Sequence, residues 1–318
     1  MVEAAKAGQE PQSAGSVLMV RPARFGSNPQ TAASNAFQQA SGTGSDIDQH
    51  AAVLPEFDAL AAALDRAGVE VLIAADTVDP VKPDAIFPNN WVSFHRDGTV
   101  AFYPMLAPNR RGERRDEIIG QIVLEGAFRV SRTVDFSHRE AEGKYLEGTG
   151  SVVLDRTHRV AYACCSPRTD LDVLGDFAQQ LDYELVSFDA VDARGLAIYH
   201  TNVLMAIGAR FAVVCTAAIA NPQHRTAVLS NLRATGHDIV EISLPQMAEF
   251  AGNVLELAPS KGNLIALSAR ALRSLEPPQR RVLESHANLV PVPIPNVERF
   301  GGGGVRCMLA EIHLPKRS

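Results

Sequence analysis

Near its carboxyl end the chain carries Phe300-Gly301-Gly302-Gly303-Gly304-Val305-Arg306-Cys307-Met308, four consecutive glycines leading to a single thiol. Glycine tolerates backbone angles that other residues avoid and lets the backbone approach a ligand closely. The run therefore predicts a tight loop presenting Cys307 over a small substrate, with Met308 to Leu314 as a closing strand. The plain alternative is an ordinary turn with Cys307 in the core, because free cysteine is commonly buried. Upstream, Ile198-Tyr199-His200-Thr201-Asn202-Val203-Leu204-Met205 reads as an apolar strand interrupted by polar residues. Alternate strand residues share a face, so His200 and Asn202 are expected side by side on a wet or functional surface. A histidine satisfied by a backbone carbonyl is the competing reading. Glu147 stands before the small-residue turn Gly148-Thr149-Gly150-Ser151, from which a carboxylate can aim into a cleft, although a single glutamate is more commonly exposed. Asp84, Asn89 and Asn90 surround Phe87 beside the only tryptophan, Trp91. They are expected to wall a pocket, or Asn89-Asn90 to make a simple turn. A thiol, an imidazole and a carboxylate are the parts of nucleophilic catalysis at a planar carbon. The thiolate attacks, the imidazole moves protons, and the carboxylate holds substrate or orients the imidazole.

These residues are far apart in the chain, so the elements between them must bring them together. After a first strand at Val17-Leu18-Met19-Val20, residues 26–46 are rich in Ser, Asn, Gln, Gly and Thr and predict a loop or lid. Ala51 to Ala67 carries Leu54, Phe57, Leu60, Ala61 and Leu64 at helical spacing, Gly68 stops it, and Val69 to Ile73 is the next strand. The same order then recurs. Trp91 to Phe94 and Thr99 to Tyr103 pair through the turn Arg96-Asp97-Gly98-Thr99, and a helix follows at Arg114 to Gly126. Later hairpins flank Asp155-Arg156-Thr157-His158 and Gly208-Ala209-Arg210, and another joins Asn253–Leu257 to Leu264–Leu267; each is followed by helix and strand. The repeat recurs at roughly fifty residues, which predicts one α/β domain of similar modules, arranged radially with loops converging on one face. Residues 1–16 are expected to be a disordered tail and 17–318 a single catalytic domain.

The bulk properties bound the function. With 318 residues, 46% hydrophobic, and a net charge of -6, the chain has enough apolar residues for a core and no basic run that would favour nucleic acid. No apolar run is long enough for a bilayer, and the amino terminus lacks the pattern of a secretory signal. The cysteines Cys164, Cys165, Cys215 and Cys307 show no zinc-type spacing. A reducing, cytoplasmic setting is expected, with no metal, no cofactor, no nucleic acid or membrane partner, and room for a homodimer.

In order and type, Phe87-Pro88-Asn89-Asn90-Trp91, Leu146-Glu147-Gly148-Thr149-Gly150, Tyr199-His200-Thr201-Asn202 and the terminal glycine-rich cysteine segment resemble the guanidine-modifying, or pentein, superfamily. The resemblance spans Val17 to Pro315 and is nearest to the arginine deiminase-related branch that includes citrulline-utilisation hydrolases. It implies a five-bladed α/β propeller of ββαβ modules with a central active site. It further implies Cys307 as nucleophile, His200 as general acid and base, and Glu147 as the orienting carboxylate. Asp84 matches the family's acid before the Phe motif. Arg110 and Arg168 match arginines of dimethylarginine hydrolases and are candidates for the substrate α-carboxylate, which a planar fork suits. Two departures bear on substrate. Asn90 stands where deiminases and dimethylarginine hydrolases carry an aspartate, and Asn202 ends a His-x-Asp pattern as an amide. A buried guanidinium would lack these counter-charges, whereas a ureido group offers both donors and acceptors to amides. The expected reaction is hydrolysis of citrulline to ornithine, ammonia and carbon dioxide through a covalent cysteine intermediate. Dimethylarginine hydrolase or arginine deiminase activity is the alternative, followed by non-catalytic binding of a small molecule. No peptidase-like sequence surrounds any cysteine.

Overall fold

Short apolar runs, broken every few residues by turn formers, leave the chain able to build only small sheets, and among the described residues it builds five of them. The computed structural model describes residues 10–38 and 46–317. Strands β1 (Ser16–Arg21) and β2 (Glu70–Ala75) flank the helix Asp46–Arg66. The next three blades are β3 (Val92–Phe94), β4 (Thr99–Phe102) and β5 (Arg132–Asp135); β6 (Val153–Asp155), β7 (Val160–Cys164) and β8 (Glu184–Phe188); and β9 (Met205–Ile207), β10 (Phe211–Val214) and β11 (Asp238–Glu241). Then come β12 (Leu255–Leu257), β13 (Leu264–Ser268) and β14 (Asn288–Val292), and last β15 (Ala310–Glu311). In each blade two strands pair antiparallel and the third lies parallel to the middle one after a helical crossover. The fifth blade is closed by the two ends of the chain: β15 lies antiparallel to β1, and β1 runs parallel to β2. The expected five-bladed ββαβ architecture is thus present.

The crossover helices start where their sequences say they should. Asp170 accepts from the backbone of Asp172 and Val173 to cap the helix Leu171–Leu181, and Asn221 does the same for Pro222–Ala234, with proline in its first turn. Their apolar faces pack outside the sheets and form the clusters around Phe177, Phe57, Phe94 and Val213. The site-bearing segments are the exceptions to the sequence reading. The predicted strand over 198–207 is shortened to Met205–Ile207, because Thr201–Leu204 is a single helical turn. The closing strand is only Ala310–Glu311, and Cys307 sits in the tight turn Val305–Met308.

The amino-terminal expectation needs correction. Residues 1–9 lie outside the described residues, but Glu10 to Ser16 is packed against the blades. Gln12 donates to Leu154 O at 2.8 Å and Ile207 O at 3.1 Å and accepts from Arg156 N at 2.7 Å, and Glu10 pairs with the buried Arg156 at 2.9 Å. Polarity misled here: these side chains are the partners that buried strand-end groups require.

Candidate active site

A short helical turn stands before the first strand of four blades, and these turns meet. They are Pro88–Asn90, Gly148–Ser151, Thr201–Leu204 and Val305–Met308. In the remaining blade Asn253 occupies the same place, two residues before β12. Asn90, Glu147, His200 and Cys307 therefore stand at the mouths of four different blades. Asp84, Phe87, Asn90, Arg110, Arg168, His200 and Cys307 line one small cavity, together with Asn35, Tyr199, Gly301 and Gly303. Glu147 is fully buried behind His200 rather than on the wall, and Asn89 is fully buried outside the lining with both side-chain polar atoms unpaired. Asn202 reaches the sulfur itself.

The sulfur of Cys307 faces two amides. Asn253 Nδ2 donates to Sγ at 3.2 Å and to Asn202 O at 2.9 Å, while Asn202 Nδ2 lies 3.6 Å from Sγ. The glycine loop makes this approach possible: a Cβ on Gly304 would stand 2.6 Å from Asn253 Oδ1. On the facing wall, His200 Nε2 lies 2.8 Å from Glu147 Oε2. That contact makes Nε2 the protonated nitrogen and leaves a lone pair on Nδ1. Gly150 gives the ring room, since a Cβ there would lie 2.8 Å from His200 Nδ1 and 2.5 Å from Asn90 Nδ2.

Two arginines organise the polar wall. Arg110 grips Glu113 with two nitrogens at 2.8 and 2.9 Å, and its Nη1 donates to Asn90 Oδ1 at 3.0 Å. Asp84 Oδ2 stands 3.6 Å from Arg110 and accepts from Asn28 Nδ2 at 2.7 Å. Arg110 thus has three of its five N–H groups engaged by Glu113 and Asn90. Arg168 Nη1 contacts Glu147 at 3.2 Å, the guanidinium stacks over Tyr199, and Nη2 donates to Ser34 Oγ and Thr31 O. Ser34 and Thr31 belong to the segment expected as a lid. Its described part, residues 26–38, lies across the cavity, with Asn35 Nδ2 on Gly301 O at 3.1 Å and Phe37 against Tyr199.

Burial shapes the protonation states. Burial pushes the Cys307 thiol above its ordinary range, and Asn253, Arg306 and the neighbouring amides only partly offset it. Burial likewise lowers His200 to about 4 despite its carboxylate partner. Glu147 goes the other way. Desolvation opposes its charge, but Arg168, His200 and Arg110 together hold it well below the usual carboxylate range. The resting pair near neutral pH is therefore a thiol and a neutral imidazole beside an ionised glutamate.

Asn253, Asn28, Asn35, Ser34 and Glu113 were not singled out from sequence. Asn253 had a usable signal: Gly252-Asn253 precedes a hairpin strand at the position that Asn90 and Asn202 hold in their own modules. The others touch the site only through tertiary contacts.

The sequence profile of the family described as N,N dimethylarginine dimethylhydrolase, eukaryotic, matches residues 21–314. The chain belongs to this family. With its five modules it stands in the pentein superfamily of guanidine-modifying enzymes, and it is a hydrolase of linear amidine C–N bonds. No curated protein sequence matches it. Among solved structures, the N-terminal domain of ArgZ, an arginine dihydrolase from the ornithine-ammonia cycle in cyanobacteria, is similar in its product complex. It has 17% identity and a TM-score of 0.72, over 94% of this chain and 99% of that one. The same domain covalently bound to a reaction intermediate aligns with TM-score 0.71 at 16% identity, over the same shares. A histidine-to-glycine variant of dimethylarginine dimethylaminohydrolase, as an adduct with S-methyl-L-thiocitrulline, aligns with TM-score 0.64 at 16% identity, over 93% of this chain and 99% of that one. At such identities the likeness speaks for the fold.

Proposed function

We propose that this family member hydrolyses a ureido amino acid, converting citrulline to ornithine, ammonia and carbon dioxide through a thiol-bound intermediate. The carrying observation is the direction of the Asn90 amide. Arg110 can only donate, so Asn90 must turn Oδ1 to it. The amide nitrogen is left buried and unpaired in a residue of the cavity wall. An unpaired buried donor asks for an acceptor. A ureido oxygen is one; a guanidinium carries donors alone.

The reaction follows from the resting protonation states. Cys307 Sγ attacks the ureido carbon as its proton passes to His200. The new C–S bond stays while the C–N bond to the ornithine side chain breaks, and the departing nitrogen takes the proton from His200. Glu147 stabilises the imidazolium formed in between. Water, deprotonated by His200, then attacks the carbamoyl thioester. The C–S bond breaks, sulfur regains a proton, and the released carbamate falls to ammonia and carbon dioxide. Asn202 and Asn253 supply donors around the sulfur, and Phe87 and Asp84 bound the substrate chain. Arg168 is the fork for the α-carboxylate, which would replace its contacts to Ser34 and Thr31. The covalent species seen in the ArgZ domain supports a route of this kind.

Asp84 supports the second reading. A buried carboxylate on the cavity wall favours a cationic substrate, and arginine or a methylated arginine would bring one. Incubation with citrulline, arginine and dimethylarginine, with ornithine, citrulline, dimethylamine and ammonia measured, separates the two. Ornithine and ammonia from citrulline are expected. Turnover of dimethylarginine with none of citrulline would overturn the ureido reading. Asn90→Asp should shift preference toward guanidino substrates by roughly tenfold or more, about the effect of one buried charge-assisted hydrogen bond. Cys307→Ser should abolish turnover.

A further inference from the structure

Away from the catalytic cavity, Asp155, His158 and His237 bring a carboxylate and two imidazoles together, with ligand atoms within 4.8 Å of one another. None of the three lines the catalytic cavity. Asp155 ends β6, His158 lies in the hairpin turn that follows, and His237 stands just before β11 of the next blade. His158 Nδ1 is 2.9 Å from both Asp155 oxygens, and His237 Nε2 is 4.0 Å from Asp155 Oδ2. Asp155 and His237 are almost wholly buried, whereas the His158 side chain is 35% exposed.

A second observation bears on His237. Its Nδ1 lies 2.8 Å from Thr235 Oγ1, a hydroxyl that also reaches Asn231 O at 3.0 Å and Leu232 O at 3.1 Å and so can donate either to the ring or to the helix. Nε2 stands 3.2 Å from Gly208 O and 4.0 Å from the Asp155 carboxylate, and carries the proton when it donates to that carbonyl. When Thr235 instead donates to the helix and accepts from Nδ1–H, the ring is held from behind as metal-binding histidines commonly are, and Nε2 is free to ligate.

We propose that Asp155, His158 and His237 form a divalent-metal site of the zinc type that clips two neighbouring blades together. Two imidazoles and a carboxylate suit a borderline ion such as Zn2+, and the exposed side of His158 leaves a fourth position to water. Tetrahedral zinc sets ligand atoms roughly 3.4 Å apart, so closing the cluster takes side-chain shifts of about 1 Å and tilts His237 away from Gly208 O.

The test uses the full chain, stripped with a chelator and titrated with Co2+ as a spectroscopic probe and with Zn2+. One equivalent of Co2+ should bind with the visible bands of a four-coordinate site and no thiolate charge-transfer band. His158→Ala, a change in an exposed turn, should weaken binding at least tenfold and remove the rise in Tm that Zn2+ gives the unaltered protein. His237→Gln should do the same. Cys307→Ser should leave binding unchanged. Binding that survives His158→Ala, or is lost with Cys307→Ser, overturns the proposal. So does the lack of any bound equivalent, which would leave the three side chains a hydrogen-bonded cluster.

Discussion

The Cys307 sulfur is held by amides rather than by a cation, and that choice sets its reactivity. Burial keeps it protonated, so iodoacetamide inactivation should rise with pH past the ordinary thiol value of 9.0 instead of levelling below it. A plateau below pH 8 would show that a resting thiolate is present. Asn253→Ala removes the 3.2 Å donor to Sγ. A hydrogen bond to a charged group is worth about 1.5–3 kcal/mol, so inactivation at pH 8 should slow by roughly ten- to a hundredfold. Gly150 offers a purely steric test. A methyl group there collides with both Asn90 Nδ2 and His200 Nδ1, and displacing a catalytic group by about 1 Å can cost about a hundredfold. Gly150→Ala should therefore lower kcat by about that factor while the circular-dichroism spectrum stays unchanged.

At the level of elements, the segment over the cavity is fastened from several sides. Asn28 reaches Asp84, Asn35 reaches Gly301 O, and Thr31 and Ser34 hold Arg168. Substrate entry must release some of these contacts, and an α-carboxylate on Arg168 would compete for two of them. Asn35→Ala removes one buried hydrogen bond, worth about 1 kcal/mol, which is roughly a fivefold shift toward the open segment. The expected result is faster proteolysis within residues 26–38 and a raised KM with kcat little changed. Unaltered proteolysis would mean that the other contacts alone hold the segment down.

Across the whole molecule, stability is tied to acid titration of buried histidines. His95, His200 and His313 are all buried with pKa values lowered chiefly by desolvation, His200 to about 4 from 6.5. The unfolded chain therefore binds more protons than the folded one between those values, and stability rises with pH across that window. On acidification Tm should fall steadily from pH 6.5 toward 4. Below about 4.5 the loss should deepen, because the unfolded chain protonates this glutamate while the fold holds Glu147 ionised. His200→Gln should flatten the upper part of that curve. The amino-terminal segment is a second global determinant: removing residues 1–14 strips Glu10 from the buried Arg156. An uncompensated buried charge costs about 3–5 kcal/mol, which should lower Tm by several degrees even though no cavity-lining residue is touched.

The sequence by itself determined the repeating module, because hydrophobic period and turn chemistry are local. The helix after the Asp155-Arg156-Thr157-His158 hairpin was legible and is found at Leu171–Leu181, as was the order of hairpin, helix and strand. It also yielded Cys307, His200, Glu147 and the cavity-lining Asp84, Phe87 and Asn90, since reactive residue types in family-like motifs carry their identity with them. Only the tertiary structure decided that Asn202 lies in a helical turn that His200 precedes in extended backbone, so that the two do not share a strand face. Single turns of four residues have too few positions for a period to show. Asn253 beside the sulfur, the engagement of Arg110 by Glu113 and Asn90, and the burial of Glu10 and Gln12 were likewise beyond the sequence. A polar side chain is written the same way whether it meets water or a buried partner, and which one it meets is fixed when five blades close around a common axis.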